Sequence, residues 1–134
     1  APGSVGAALT GEMVRTGEII EISRNLIMPY YREKAERAVS IFREKLNGLD
    51  FHIHKPEGAI FLWLWFRGMK IGSKTLYERL KKRGVLIIPG YDFFPGLPGE
   101  WQHRDECIRV TYSQGDDTVS RGIEIIAEEV RKAY

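Results

Sequence analysis

An arginine in the run Cys107-Ile108-Arg109-Val110-Thr111-Tyr112-Ser113 is the residue best suited to chemistry in this chain. The flanking residues read as a strand, where a charged side chain is costly unless it reaches water or meets an anion. The guanidinium of Arg109 stays charged and presents a planar fork that fits a carboxylate through two parallel hydrogen bonds. A long loop precedes it and contains Pro-Gly-Tyr-Asp-Phe-Phe-Pro-Gly at 89–96. A rigid strand holding that fork beside a glycine-containing loop points to a site for a small carboxylic acid. The competing reading is a structural ion pair with Glu57 or Asp92, and spacing alone does not choose between the two.

Other reactive residues point to no chemistry of their own. His52 and His54 are two apart and share a face of a strand. With His103 or Cys107 they could supply metal ligands, but no recognised ligand spacing accompanies them, and no metal is expected. Cys107 has no base near it in sequence and opens a strand, so it reads as a small packing residue. Trp63 and Trp65 offer an aromatic platform, although large residues at alternate strand positions are more often core.

The chain has 134 residues, enough for one domain with a core of its own, and a net charge of +2. That charge is too small, and too evenly interleaved with acids, to argue for nucleic acid. Its densest basic cluster, Lys81-Lys82-Arg83, falls at a helix C-terminus, which favours cations anyway. A single cysteine, Cys107, excludes an internal disulfide and fits a reducing, cytoplasmic setting. No run of about 18 apolar residues marks a membrane span.

The elements that must position Arg109 follow from periodicity. Helices are expected at 4–15 and 18–46, with a kink or break at Pro29. Strands at 51–54 and 59–66 flank the turn Lys55-Pro-Glu-Gly58, which predicts a hairpin. Ser73 is expected to cap a helix that Gly84 closes, and a short strand follows at 85–88. Residues 89–105 form a loop with three prolines and three glycines, long enough to imply a function. The last strand is 108–112. Asp116 or Asp117 caps a final helix with Val119, Ile123, Ile126, Ala127 and Val130 on its apolar face. This order predicts an α+β fold, an α/β two-layer sandwich with a small mixed or antiparallel sheet and helices packed on one face. The strand at 59–66 is apolar on both faces and asks for cover on both sides, for which helices are short.

Several segments carry more specific information: Ala1-Pro-Gly-Ser, residues 54–66 from His54 to Phe66, residues 84–96 from Gly84 to Gly96, Cys107-Ile-Arg-Val-Thr-Tyr112, and Ile-Ile-Ala-Glu-Glu-Val-Arg at 125–131. In order and spacing they resemble the C-terminal part of the pyridoxal-phosphate-dependent aminotransferases of fold type I, class I/II. Within that family the likeness is greatest to the valine–pyruvate aminotransferases. The resemblance implies that residues 1–17 continue from a large domain and that 18–134 form the small domain. It places Arg109 at the arginine that binds the substrate's α-carboxylate. It places Gly90 and Phe93 in the entrance loop, and Gly58 and Ala59 at the turn that approaches the substrate.

The implied substrates are small apolar amino acids such as valine and alanine, with 2-keto acids such as pyruvate. The implied assembly is a homodimer of the complete enzyme. Pyridoxal 5'-phosphate is the implied cofactor, held upstream of this chain together with the Schiff-base lysine. No lysine here stands in a Ser/Thr-x-x-Lys context. The chain is therefore expected to contribute substrate-binding residues, no catalytic or cofactor-binding residue, and no activity on its own. A non-catalytic α+β domain that binds or senses a small amino or keto acid is the alternative. A protein-interaction module is a third, resting only on surplus apolar surface.

Overall fold

The computed structural model describes residues 4–97 and 99–134. The opening Ala1-Pro-Gly of the resemblance and Pro98 of the long loop lie outside the described residues. The described chain opens on a helical arm. Helix α1 (Val5–Thr16) ends at Gly17, whose φ of 79° supplies the left-handed C-cap. Helix α2 (Glu18–Ile22) passes through a π-helical turn (Ser23–Ile27) into α3 (Met28–Lys45). The expected break at Pro29 does not occur. Pro29 lies in the first turn of α3, and the wider π turn just upstream accommodates its ring and missing N–H. Neither α1 nor α2 buries a residue.

Strands β1 (Phe51–Ile53) and β2 (Phe61–Phe66) form the expected hairpin, followed by α4 (Ser73–Lys82) and β3 (Ile88–Pro89). A 3-10 turn (Gly90–Phe93), the one-turn helix α5 (Gln102–Asp105), β4 (Cys107–Thr111) and α6 (Asp116–Arg131) complete the chain. The sheet order is β1-β2-β4-β3 with every pairing antiparallel. This settles the mixed-or-antiparallel alternative in favour of antiparallel. The two-layer α+β arrangement is as expected.

One face of the sheet makes the core. Leu62, Leu64 and Phe66 of β2 and Ile108 of β4 pack against Phe42 of α3, Leu76 and Leu80 of α4, and Val130 of α6, all almost without solvent contact. Each such side chain contributes roughly 1.5–3 kcal/mol on burial.

Three local expectations are corrected. The cap of α4 is Gly72, and Ser73 is its first helical residue, fully buried with no side-chain capping bond. The cap of α6 is Gly115. Asp116 is drawn away from a capping role because it pairs with Lys34 at 2.7 Å and Arg37 at 3.0 Å, tying α6 to α3. The strand expected at 85–88 reduces to Ile88 and Pro89, since only there does the chain reach hydrogen-bonding distance of β4.

Glu129 is a buried acid that holds the C-terminal helix to α4. It accepts from Lys132 at 2.7 Å and from Arg83 at 3.0 Å. These bonds, that from Lys132 first, hold its carboxyl below the usual carboxylate range. A folded-state pKa below the unfolded one adds stability that is present above an unfolded value of about 4.3 and lost as pH falls through the folded value. Glu129→Gln is therefore expected to flatten the acid limb of the stability curve below about pH 4.3. Urea denaturation at successive pH values measures this. An unaltered acid limb removes Glu129 from the linkage.

Candidate functional site

The outer face of the sheet carries the chemistry. The pleat places Phe61, Trp63 and Trp65 opposite Thr111, Arg109 and Cys107 on that face, while their neighbours enter the core. Trp63 and Trp65 are thus not core residues as strand alternation implied; they are half-buried on the outer face. The loop after β3 covers them. Trp63 meets Phe93 at 5.1 Å and Phe94 at 6.1 Å between ring centroids, and Trp65 meets His103 at 4.7 Å. The second cover that β2 requires is supplied by this segment, with Phe93 of the 3-10 turn, Phe94 and His103 of the one-turn helix α5.

Two buried residues pin the loop to the sheet. A Cβ on Gly90 would stand 2.6 Å from the carbonyl oxygens of Arg104 and Cys107 and from the Cys107 Cβ, so only glycine fits. Glu106 sits beside β4 with its carboxylate buried. It accepts from Trp65 Nε1, the Gly68 backbone N–H and Gln102 Nε2, each at 2.8 Å. Three donors offset the cost of burying that charge. Cys107 is fully buried next to His103, at 3.6 Å from Sγ to Nε2, and burial pushes its thiol up to about 12. A thiol so seldom ionised packs and does not attack.

Arg109 lies between two aromatic rings. Its guanidinium carbon is 4.2 Å from the centroid of Phe61 and 4.7 Å from that of Phe93. Ring quadrupoles favour a cation there, and a guanidinium beside aromatic rings keeps its planar N–H groups for polar partners. The ion pair considered with Glu57 does not form, because Glu57 binds Lys55 at 2.7 Å. Among the described residues no ion pair involves Arg109 or Asp92. The arginine opens into a cleft of about 300 Å³ walled by Trp63, Phe61, Gly58 and the Lys55–Glu57 turn.

The sequence-expected residues divide accordingly. Arg109 and Gly58 line this cleft, and Phe93 lies against Arg109. Gly90 is buried behind the loop against β4. Ala59, with a left-handed φ of 61°, faces a second cleft of about 650 Å³ on the far side of the turn. Phe61 was not singled out in the sequence; its signal was strand alternation, which puts position 61 beside Arg109. Glu106 had no signal, since an acid between Asp105 and Cys107 reads as solvated loop.

Arg109 offers a carboxylate guest a fork without an ion-pair partner, whereas Lys55, Lys34 and Lys132 are engaged elsewhere. Lys55, the lysine of the cleft, is exposed and already paired with Glu57. Lys34 and Lys132 are engaged with Asp116 and Glu129. None has the dry pocket that makes a lysine amine neutral and nucleophilic.

The chain is 42% identical over 134 residues to the valine–pyruvate aminotransferase of Escherichia coli (strain K12), covering 100% of this chain and 32% of that protein. A valine–pyruvate aminotransferase structure from Salmonella typhimurium LT2 superposes with a TM-score of 0.92 at 43% identity, over 99% of this chain and 34% of that one. The chain belongs to the pyridoxal-phosphate-dependent aminotransferases, as their C-terminal part. A putative amino-acid aminotransferase structure from Psychrobacter arcticum 273-4 gives a TM-score of 0.95 at 44% identity, over 100% of this chain and 31% of that one. No family model matches the chain. The chain spans about a third of the length of these relatives. No helix among the described residues is long and apolar enough to cross a membrane.

Proposed function

We propose that this chain is the substrate-carboxylate domain of a transaminase that moves an amino group between a small apolar amino acid, valine or alanine, and a 2-keto acid such as pyruvate. The observation that carries the reading is the unpaired fork of Arg109 between Phe61 and Phe93 at the cleft. A substrate α-carboxylate would take the two N–H groups of one edge. Gly58 would let the substrate approach the turn, and Phe93 would close the entrance. Gly90 supports that role from behind by fixing the loop.

Pyridoxal 5'-phosphate supplies the electron sink of the reaction in the complete enzyme. Its lysine and phosphate anchors are assigned to the part of the aminotransferase that precedes residues 1–17, with 18–134 as the small domain. The complete enzyme is proposed to act as a cytoplasmic homodimer, and this chain alone to be inactive.

Substrate preference follows from the lining. The cleft and its loop offer aromatic and aliphatic surface, and Arg109 is the cation whose fork stands free there; Lys55 is occupied by Glu57. Among the described residues that line the cleft, no second guanidinium awaits a side-chain carboxylate. Discrimination by apolar contact is modest, about 1–3 kcal/mol per methylene. The complete enzyme is expected to use valine and alanine in preference to aspartate and glutamate, as judged by kcat/KM with pyruvate or 2-ketoisovalerate as acceptor. A preference for the acidic donors overturns the reading.

A further inference from the structure

Residue 59 is the one non-glycine position with positive φ among the described residues. At a φ of 61°, an alanine's Cβ crowds its own backbone, and such a residue persists only where its surroundings hold it. The hold is visible. The Tyr112 hydroxyl donates to the Ala59 carbonyl oxygen at 2.7 Å. The next carbonyl, that of Ile60, accepts from the Tyr112 backbone N–H at 3.2 Å and from Thr111 Oγ1 at 3.1 Å. Tyr112 is itself fixed, with 2% of its surface exposed and its ring in the main core. Burial raises its phenol above the ordinary value, with Tyr31 adding to the effect, so the hydroxyl keeps the proton that it donates.

The geometry points to Tyr112 as a positioning residue for the substrate cleft, one that locks the Gly58–Ala59 turn in place through the Ala59 carbonyl. One continuous segment then sets both walls. β4 presents Arg109 on the outer face, and Tyr112, the residue directly after β4, reaches from the core side to the turn that walls the same cleft. The distance between the carboxylate fork and the Gly58 wall is thereby tied to β4 and the residue that follows it. A turn free to relax to negative φ would reorient the peptide groups that wall the cleft. The inference rests on the reading of Arg109 as the carboxylate site.

The test uses the complete enzyme that contains this chain. Binding of 3-methylbutanoate, which has the carboxylate and branched chain of valine but no amino group, is measured with KM and kcat for valine and with the thermal midpoint. Tyr112→Phe keeps the core ring and removes only the donor. It is expected to raise Kd and KM by about tenfold with a smaller change in kcat, since the strain at residue 59 is of that order. Combined with Ala59→Gly, which adopts positive φ without strain, Tyr112→Phe is expected to add less than about twofold.

Ala59→Val deepens the strain from the other partner and is expected to raise Kd even where Tyr112→Phe does not fold. Arg109→Lys is the control for the underlying reading. Unchanged 3-methylbutanoate binding in that variant sinks the carboxylate site itself. Weakened binding there, together with a Tyr112→Phe enzyme altered only in thermal midpoint, overturns the role of Tyr112 alone.

Discussion

Replacing Arg109 by lysine is expected to lower the catalytic efficiency of the complete enzyme by about a hundredfold or more. Charge is retained, so the loss isolates the fork. The guanidinium carbon stands 4.2 and 4.7 Å from the ring centroids of Phe61 and Phe93, and a guanidinium holds its N–H groups in one plane. An ammonium is a compact, strongly hydrated charge, and it cannot make two parallel bonds to one carboxylate. A charge-assisted hydrogen bond is worth roughly 1.5–3 kcal/mol, and about 1.4 kcal/mol is a factor of ten. Loss of one such bond, plus looser seating between the rings, brings the expected effect to two decades. Steady-state kinetics with valine and pyruvate measure it. An amine donor without a carboxylate should not distinguish the two enzymes. Equal efficiency with valine would falsify the assignment of Arg109.

The fold was legible where periodicity or turn chemistry acts locally. The Lys55-Pro-Glu-Gly58 turn between two apolar runs gave the β1–β2 hairpin. The helix starts were less legible. Ser73 and Asp116 are good cap residues by type, but the core claims Ser73, and Lys34 and Arg37 on α3 claim Asp116. Both partners are distant in sequence, so local preference was overridden by tertiary contact. Cover for the outer face also escaped the sequence. The loop carries Phe93, Phe94 and His103, and nothing local says that these side chains turn onto Trp63 and Trp65.

The site divides along the same line. Arg109 stood out because a charge in an apolar strand needs a reason, and that reason is intrinsic to the residue. Phe61, Glu106 and Tyr112 did not stand out. Their roles exist only once register sets Phe61 beside Arg109, once the loop brings Gln102 and Glu106 onto Trp65, and once the chain leaving β4 brings Tyr112 to Ala59. Gly90 fell between these cases. Its glycine identity was noticed as part of an entrance loop, whereas its role in the fold is the close approach of that loop to β4.

Gly90 therefore allows the sharpest test of how the loop serves the site. Gly90→Ala is expected to destabilise the protein by about 3 kcal/mol and to weaken carboxylate binding as well. Conformational freedom is not the reason, since Gly90 is not among the positive-φ glycines. The cause is steric: the added Cβ falls 2.6 Å from two backbone carbonyl oxygens and from the Cys107 Cβ. Cys107 belongs to a central strand and cannot yield without breaking its pairing with Trp65. The 3-10 turn must move instead, and it carries Phe93, one of the two rings on Arg109. Stability and binding should then fall together, read from the urea midpoint and the 3-methylbutanoate Kd. A loss of stability with unchanged Kd would mean that the loop covers the sheet without positioning the arginine. A wild-type urea midpoint would mean that the loop does not pack this closely on β4.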